Sequence, residues 1–294
     1  MSTTFKTILI SVLISVFVAF FIIQYRIPQS KDLSVTVSQK TAYDRVIESG
    51  KIRCGWGTWD PYIYYDFDKE KPVGVIVDLM EAMAQNLNLE LVWGEETGWA
   101  NIPTALNNGR IDVACTSLWN DPSRGRLVAF TDPAFYMVSH VFVRAGEASK
   151  YKSLEDLNRS DLRISVQDGG STYELAQRLF PKAKLAPLSQ TNQSNELFVQ
   201  VVTGKADVMI SDQLAVDRFN ENNDKKLERI KLLKPVNVFG NSYAVGINEH
   251  ALKEVLNTTV AYMTQTGEFE ELTKEFREKY PGNIYFPKFD LVGE

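Results

Sequence analysis

The chain holds only two histidines, His140 and His250, and only two cysteines, Cys54 and Cys115, in 294 residues. A histidine-based triad or zinc site must use one of that pair, and neither has nucleophile-like or metal-like neighbours. Other signatures of chemistry are missing too: there is no Walker loop, GxGxxG, HExxH or GxSxG. Basic charge is not in excess. The net charge is −5 and the pI about 5.3, which excludes a basic field for nucleic acid. The run from Lys225 to Lys234 alternates with Leu and Ile and reads as a solvated face. The adjacent pair Glu95-Glu96 also reads as surface, because neighbouring side chains on a strand point apart.

What is present begins with one long apolar run. Lys6 is followed by an uncharged stretch from Thr7 to Tyr25, about long enough to cross a hydrocarbon core. Residues 1–26 are read as an uncleaved membrane anchor, with a cleaved signal as the alternative, since no clean A-x-A site follows. Lys6 on the inner side exports everything after Arg26 under either reading. The polar stretch Ile27–Thr41 is a tether that, if flexible, spans about 20 Å. The two cysteines then sit in an oxidising space, where a bridge is possible.

With 44% hydrophobic and 23% charged residues, the remainder is globular and large enough for two domains. Short apolar strands alternate with amphipathic stretches. Strands are expected at Ile52–Gly55, Leu89–Trp93 and Ile111–Cys115, with helices over Val75–Leu87 and Ile102–Asn107. After Val143 the pattern restarts with strands at Ile164–Val166, Lys184–Ala186 and Ala206–Ile210, and helices over Thr172–Leu179 and Asn192–Thr203. A strand over Tyr243–Ile247 and helices over Leu252–Met263 and Phe269–Tyr280 close the chain. This is an α/β fold of two lobes, each with a mixed, mostly parallel sheet. Residues 42–143 and 242–294 form lobe 1, and residues 144–241 form lobe 2. The chain crosses between them near His140–Arg144 and near Asn241–Ile247.

Open α/β sheets present ligand groups at the carboxyl ends of their strands. There, in lobe 1, stand Thr116 and Ser117, with Arg124 in the turn beyond. Arginine offers a planar fork of donors for two carboxylate oxygens. In lobe 2, Gly169-Gly170 leads into Ser171 and Thr172 at a helix start, where free N–H groups favour anions. Ser211 and Asp212 end another strand of that lobe, and an acid there suits a primary ammonium group. Together these describe an α-amino acid. Each also has a plain alternative: Ser171 or Thr172 as a helix N-cap, Asp212 as the cap of the next helix, and Arg124 paired with Asp121 or Asp132. Arg126 reads as surface.

From about Tyr43 to Tyr280 the chain resembles the bacterial periplasmic amino-acid-binding proteins, the extracellular solute-binding family that serves polar-amino-acid ABC transporters. The marks are Ile52-Arg53-Cys54-Gly55, Pro61-Tyr62, Gly74 with Asp78, Gly109-Arg110-Ile111-Asp112-Val113, and Arg124 ahead of Phe130-Thr131-Asp132-Pro133. Further marks are Gly170-Ser171-Thr172-Tyr173-Glu174, Gly204-Lys205-Ala206-Asp207-Val208 and Gly267-Glu268-Phe269.

The resemblance implies a type II, Venus-flytrap fold that closes on its ligand, with no cofactor and no metal. It implies that Arg124 clamps the ligand carboxylate, that Thr172 assists and that Asp212 takes the ammonium. It places Trp59 over the ligand side chain and Trp99 along its pocket. Trp119 stands where many relatives carry a small hydroxyl, which makes the pocket rich in indole and suited to an apolar, aromatic or cationic group. The resemblance also implies a Cys54–Cys115 disulfide, since the two strands are neighbours in the family's sheet. The expected partners are an amino-acid ligand and an ABC permease or membrane sensor, for a periplasmic monomer. Some relatives are dehydratases of prephenate-like acids; an enzyme is the less favoured reading here.

Overall fold

Thr41 opens the first helix of the folded body, α1 (Ala42–Ser49), through a capping box: its hydroxyl accepts from Asp44 N–H at 3.1 Å while the Asp44 carboxylate accepts from Thr41 N–H at 3.2 Å. Gly50, left-handed at φ 67°, ends the helix and turns the chain into β1 (Lys51–Trp56). The computed structural model describes residues 15–17, 20, 40–99, 101–168, 170–189 and 195–287. It divides into an amino-terminal unit, Met1–Gln39, and the body, Lys40–Glu294. In the first unit residues 15–17 and 20 are helical and exposed. The expected membrane segment and tether otherwise lie outside the described residues. Among the described residues no helix is long and apolar enough to cross a membrane.

The body is α/β and two-lobed. In lobe 1, β4 (Glu90–Glu96), β1 and β5 (Val113–Trp119) run parallel in the order β4-β1-β5. In lobe 2, β9 (Lys184–Leu188), β8 (Arg163–Gln167) and β10 (Val208–Ser211) repeat that arrangement as β9-β8-β10. Two ten-residue strands, β7 (Phe135–Arg144) and β12 (Asn237–Gly246), join the lobes. They pair antiparallel with each other from Phe135–Asn241 to Ser139–Asn237. The far half of β7 then pairs with β10, and the far half of β12 pairs with β5. Each parallel sheet is thus bordered by the strand that arrives from the other lobe.

Apolar packing follows the same division. Ile52, Met80, Val113, Tyr243 and Val245 belong to the lobe 1 core; Val141, Val143, Ile164, Val166 and Phe239 belong to that of lobe 2. The changeover on β7 therefore comes before Val141, earlier than the sequence pattern placed it.

The repeat of architecture extends to one local motif. In lobe 1, Arg53 on β1 clasps Asp112: N–H at 3.1 Å and Nε at 2.8 Å from Oδ2, and Nη2 at 2.6 Å from Oδ1. In lobe 2, Arg163 on β8 clasps Asp207 with the same three donors at 3.0, 3.1 and 3.0 Å. Each aspartate returns a backbone N–H to its arginine's carbonyl, at 2.9 and 2.8 Å. A bidentate fork with a backbone third point fixes where the next parallel strand begins. Both lobes use it just before the strand that ends at the cleft.

Candidate functional site

Between the lobes lies a cleft of about 590 Å³, lined from both sides, a usual size for a small-molecule site. Lobe 1 contributes Trp59, Glu96, Trp99, Ser117, Trp119 and Arg124; lobe 2 contributes Ser171, Thr172, Ser211 and Asp212. All but one of the residues singled out for the ligand are therefore brought to one wall or the other. The exception is Thr116. It is fully buried, its hydroxyl donates to Gly57 O at 3.4 Å, and it does not line the cleft. Successive residues on β5 point to opposite faces, so Ser117 faces the cleft and Thr116 cannot.

Two features of lobe 1 seat the indoles. Gly74 has φ 122°, and a Cβ there would come within 2.4 Å of Tyr62 O. That close approach lets Tyr62 O accept from Ile76 N–H at 3.1 Å in the helix that follows, α2 (Val75–Asn86). The tight turn Trp59–Tyr62 is thereby pressed onto the helix start. The Trp99 ring lies against Gly57, whose missing side chain would meet it at 3.4 Å. Trp59 then meets Trp99 edge-on at 6.3 Å and Trp119 edge-on at 5.7 Å. Trp119 stacks flat on Phe239 of the crossing strand β12, at 4.2 Å and 6°. Among the described residues its indole N–H has no hydrogen-bond partner.

Arg124 sits in a single 3₁₀ turn after β5. Asp121 holds that turn: its Oδ1 accepts from Arg124 N–H at 2.9 Å, and its Oδ2 lies 3.8 Å from Arg124 Nε. The sequence-level alternative of an Arg124–Asp121 pair is thus realised, but only at the outer limit of an ion pair. Nη1 donates to Ser171 Oγ at 3.3 Å. Burial pushes the guanidinium down from its ordinary value, with Asp121 opposing; arginine stays charged nonetheless. A buried cation with one neutral partner and one distant carboxylate has donors left for an anion.

In lobe 2 the helix α4 (Ser171–Leu179) begins at the cleft. Gly170 is its N-cap and no side chain among the described residues caps it, so neither Ser171 nor Thr172 takes that role. Both lie in the first turn, where backbone N–H groups have no intrahelical acceptor. The helix α6 (Gln213–Glu221) starts opposite, and here the capping alternative holds: Asp212 Oδ1 accepts from Ala215 N–H at 2.8 Å. The same oxygen accepts from the Tyr62 hydroxyl of lobe 1 at 3.2 Å. Burial raises the Asp212 carboxyl above its ordinary value, opposed by the Ala215 N–H, the Tyr62 hydroxyl and the Trp59 indole. The bonds from Ala215 and Tyr62 both fall on one of the two carboxylate oxygens.

Three contributors carried no ligand role in the sequence reading: Tyr62 stood there only as a mark of the resemblance, Asp121 only as an alternative partner for Arg124, and Glu96 only as surface. Cys54 and Cys115, on adjacent strands behind the site, form a disulfide with 5.3 Å between Cα atoms.

The comparisons with known proteins agree with this architecture. A cyclohexadienyl dehydratase of Pseudomonas aeruginosa is 26% identical over 178 residues, covering 60% of this chain and 65% of that one, so the chain spans just under two thirds of its length. The amino-acid-binding protein AabA of Dichelobacter nodosus is 24% identical over 222 residues, 74% of this chain and 83% of that one. Among solved structures, an ancestral amino acid-binding protein described as a precursor of cyclohexadienyl dehydratase superposes with a TM-score of 0.66 at 25% identity, covering 80% of this chain and 99% of the other. A binding component of an ABC transporter from Wolinella succinogenes, complexed with lysine, has the same fold, with a TM-score of 0.65 at 23% identity over 82% of this chain and 98% of that one. The family model of bacterial extracellular solute-binding proteins, family 3, matches residues 52–279, and the chain belongs to that family.

Proposed function

We propose that the protein captures an α-amino acid, or a similar small amino-carboxylate, on the outer side of a bacterial inner membrane and delivers it to an ABC transporter. The observation that carries this is the pairing of Arg124 and Asp212 on opposite walls of one cleft. Arg124 would take the ligand carboxylate with help from Ser171, Thr172 and Ser117, and Asp212 would take the ammonium. The indoles of Trp59, Trp99 and Trp119 would enclose the side chain. Because each lobe supplies half of the contacts, ligand would favour the closed arrangement over an open one. A micromolar ligand needs about −8 kcal/mol, within reach of charge-assisted bonds. Relatives with amino-acid-binding names, including an arginine-binding protein of Bacillus subtilis, support the reading.

A thermal-shift screen against all amino acids and small carboxylates tests it. Stabilisation by at least one amino acid is expected; no shift with any would reject the proposal. Tethering by residues 1–26, and a sensor as partner in place of a permease, belong to the same proposal as alternatives.

One observation favours a second reading. The Pseudomonas relative bears the name of a dehydratase, and a buried carboxyl held above its ordinary value, as Asp212 is, can donate a proton. Incubation with prephenate and arogenate, followed by detection of phenylpyruvate or phenylalanine, separates the two.

A further inference from the structure

The proposed capture of the α-amino and α-carboxyl groups leaves the cleft's charge unbalanced. Its lining includes three carboxylates, Asp60, Glu96 and Asp212, against two guanidiniums, Arg124 and Arg218. A zwitterionic head group bridges Arg124 and Asp212 without changing that balance. Arg218 is already engaged, by Glu221 at 2.8 Å and by Asp60 across the cleft at 3.7 Å. What remains is Glu96.

Glu96 ends β4 and turns toward the cleft. Its Oε1 accepts from Thr58 N–H at 2.9 Å, which sets the carboxylate beside the backbone that carries Trp59. Trp99 follows three residues later on the same connection. Among the described residues no cation pairs with Glu96. The result is one uncompensated carboxylate next to a cluster of three indoles whose faces and edges meet at 5.7 and 6.3 Å. Indole faces attract cations through their quadrupole, more strongly when water is excluded, and a nearby carboxylate adds charge attraction.

We infer that Glu96 is the specificity-determining residue of the cleft, and that together with Trp59, Trp99 and Trp119 it selects an amino acid with a cationic side chain, an ammonium or a guanidinium. The inference rests on the proposed amino-acid capture and names the substrate class within it.

Calorimetric titration of the full chain with matched pairs tests it: lysine against norleucine, and arginine against citrulline, which share shape but differ in charge. At least one cationic member should bind tenfold or more tightly than its neutral partner, and Glu96→Gln should reduce that ratio to near one. The variant should melt as the wild type does, since the side chain is exposed and the amide oxygen of glutamine can still accept from Thr58 N–H. Equal affinity within both pairs, or a ratio that Glu96→Gln leaves unchanged, overturns the inference while leaving amino-acid capture intact. Failure of every amino acid to bind overturns both.

Discussion

Ser171 and Asp121 join the two lobes beside the cleft: the serine hydroxyl of lobe 2 donates to Asp121 Oδ2 of lobe 1 at 2.6 Å. Asp121 also fixes the Arg124 turn through its other oxygen. One carboxylate therefore couples the position of Arg124, the proposed carboxylate clamp, to the approach of the other lobe. Next to it, Ser123 Oγ donates to Glu174 at 2.6 Å, a second bond across the same edge.

Asp121→Ala should weaken ligand binding about ten- to a hundredfold although the residue does not line the cleft, since a charged hydrogen bond contributes about 1.5–3 kcal/mol and one joins the lobes here. Ser171→Ala should lose less. Small-angle scattering under saturating ligand would show a larger radius of gyration for Asp121→Ala than for the wild type. Identical affinity and scattering would show that the bridge does not aid closure.

Arg124→Ala should abolish measurable binding, about 2–5 kcal/mol, because the ligand carboxylate would be left buried without its partner. Asp212 needs a subtler substitution, since its oxygen caps α6 as well. Asp212→Asn keeps an acceptor for Ala215 N–H and removes only the charge, so melting should change little while binding is lost. A parallel loss of helix stability would show that Asp212 is chiefly a cap.

Acidification provides a test with a definite sign. Asp212 sits above its ordinary value of 3.8, so the folded protein holds that proton more tightly than the unfolded chain does. Its contribution to stability is present below the unfolded value and lost as pH rises through the folded one. Ammonium capture needs the ionised form, so affinity should fall as pH drops through that raised value; an affinity unchanged across that range would show that Asp212 does not take the ammonium. Asp207 runs the other way: burial raises it, but the Arg163 bonds outweigh burial and depress it. Its stabilisation is present above the unfolded value and lost as pH falls through the folded one.

Replacing Cys54 and Cys115 together by alanine should cost about 4 kcal/mol, the chain-entropy value for closing a loop of 61 residues. Urea unfolding with and without reductant measures it. Both cysteines are fully buried, so reductant alone should act slowly on the native protein.

The amino-acid sequence alone determined the alternation of strands and helices, because apolar period and turn residues are local properties. It also marked Arg124, Ser171, Thr172 and Asp212, since each follows a strand end where chemistry is exposed. The Gly109–Val113 and Gly204–Val208 segments were visible as marks, although their shared clasp on Arg53 and Arg163 was not. Tertiary structure decided the rest. Whether Thr116 or Ser117 faces the cleft depends on the orientation of β5, which neither residue reveals. Tyr62 reaches Asp212 across 150 positions in sequence, and Asp121 meets Ser171 only because β7 and β12 set the lobes face to face. Glu96 read as surface and is exposed, but only the fold sets it on the lining of the same cleft as three indoles. Long-range contacts of this kind arise from packing the two lobes together, and no local pattern encodes them.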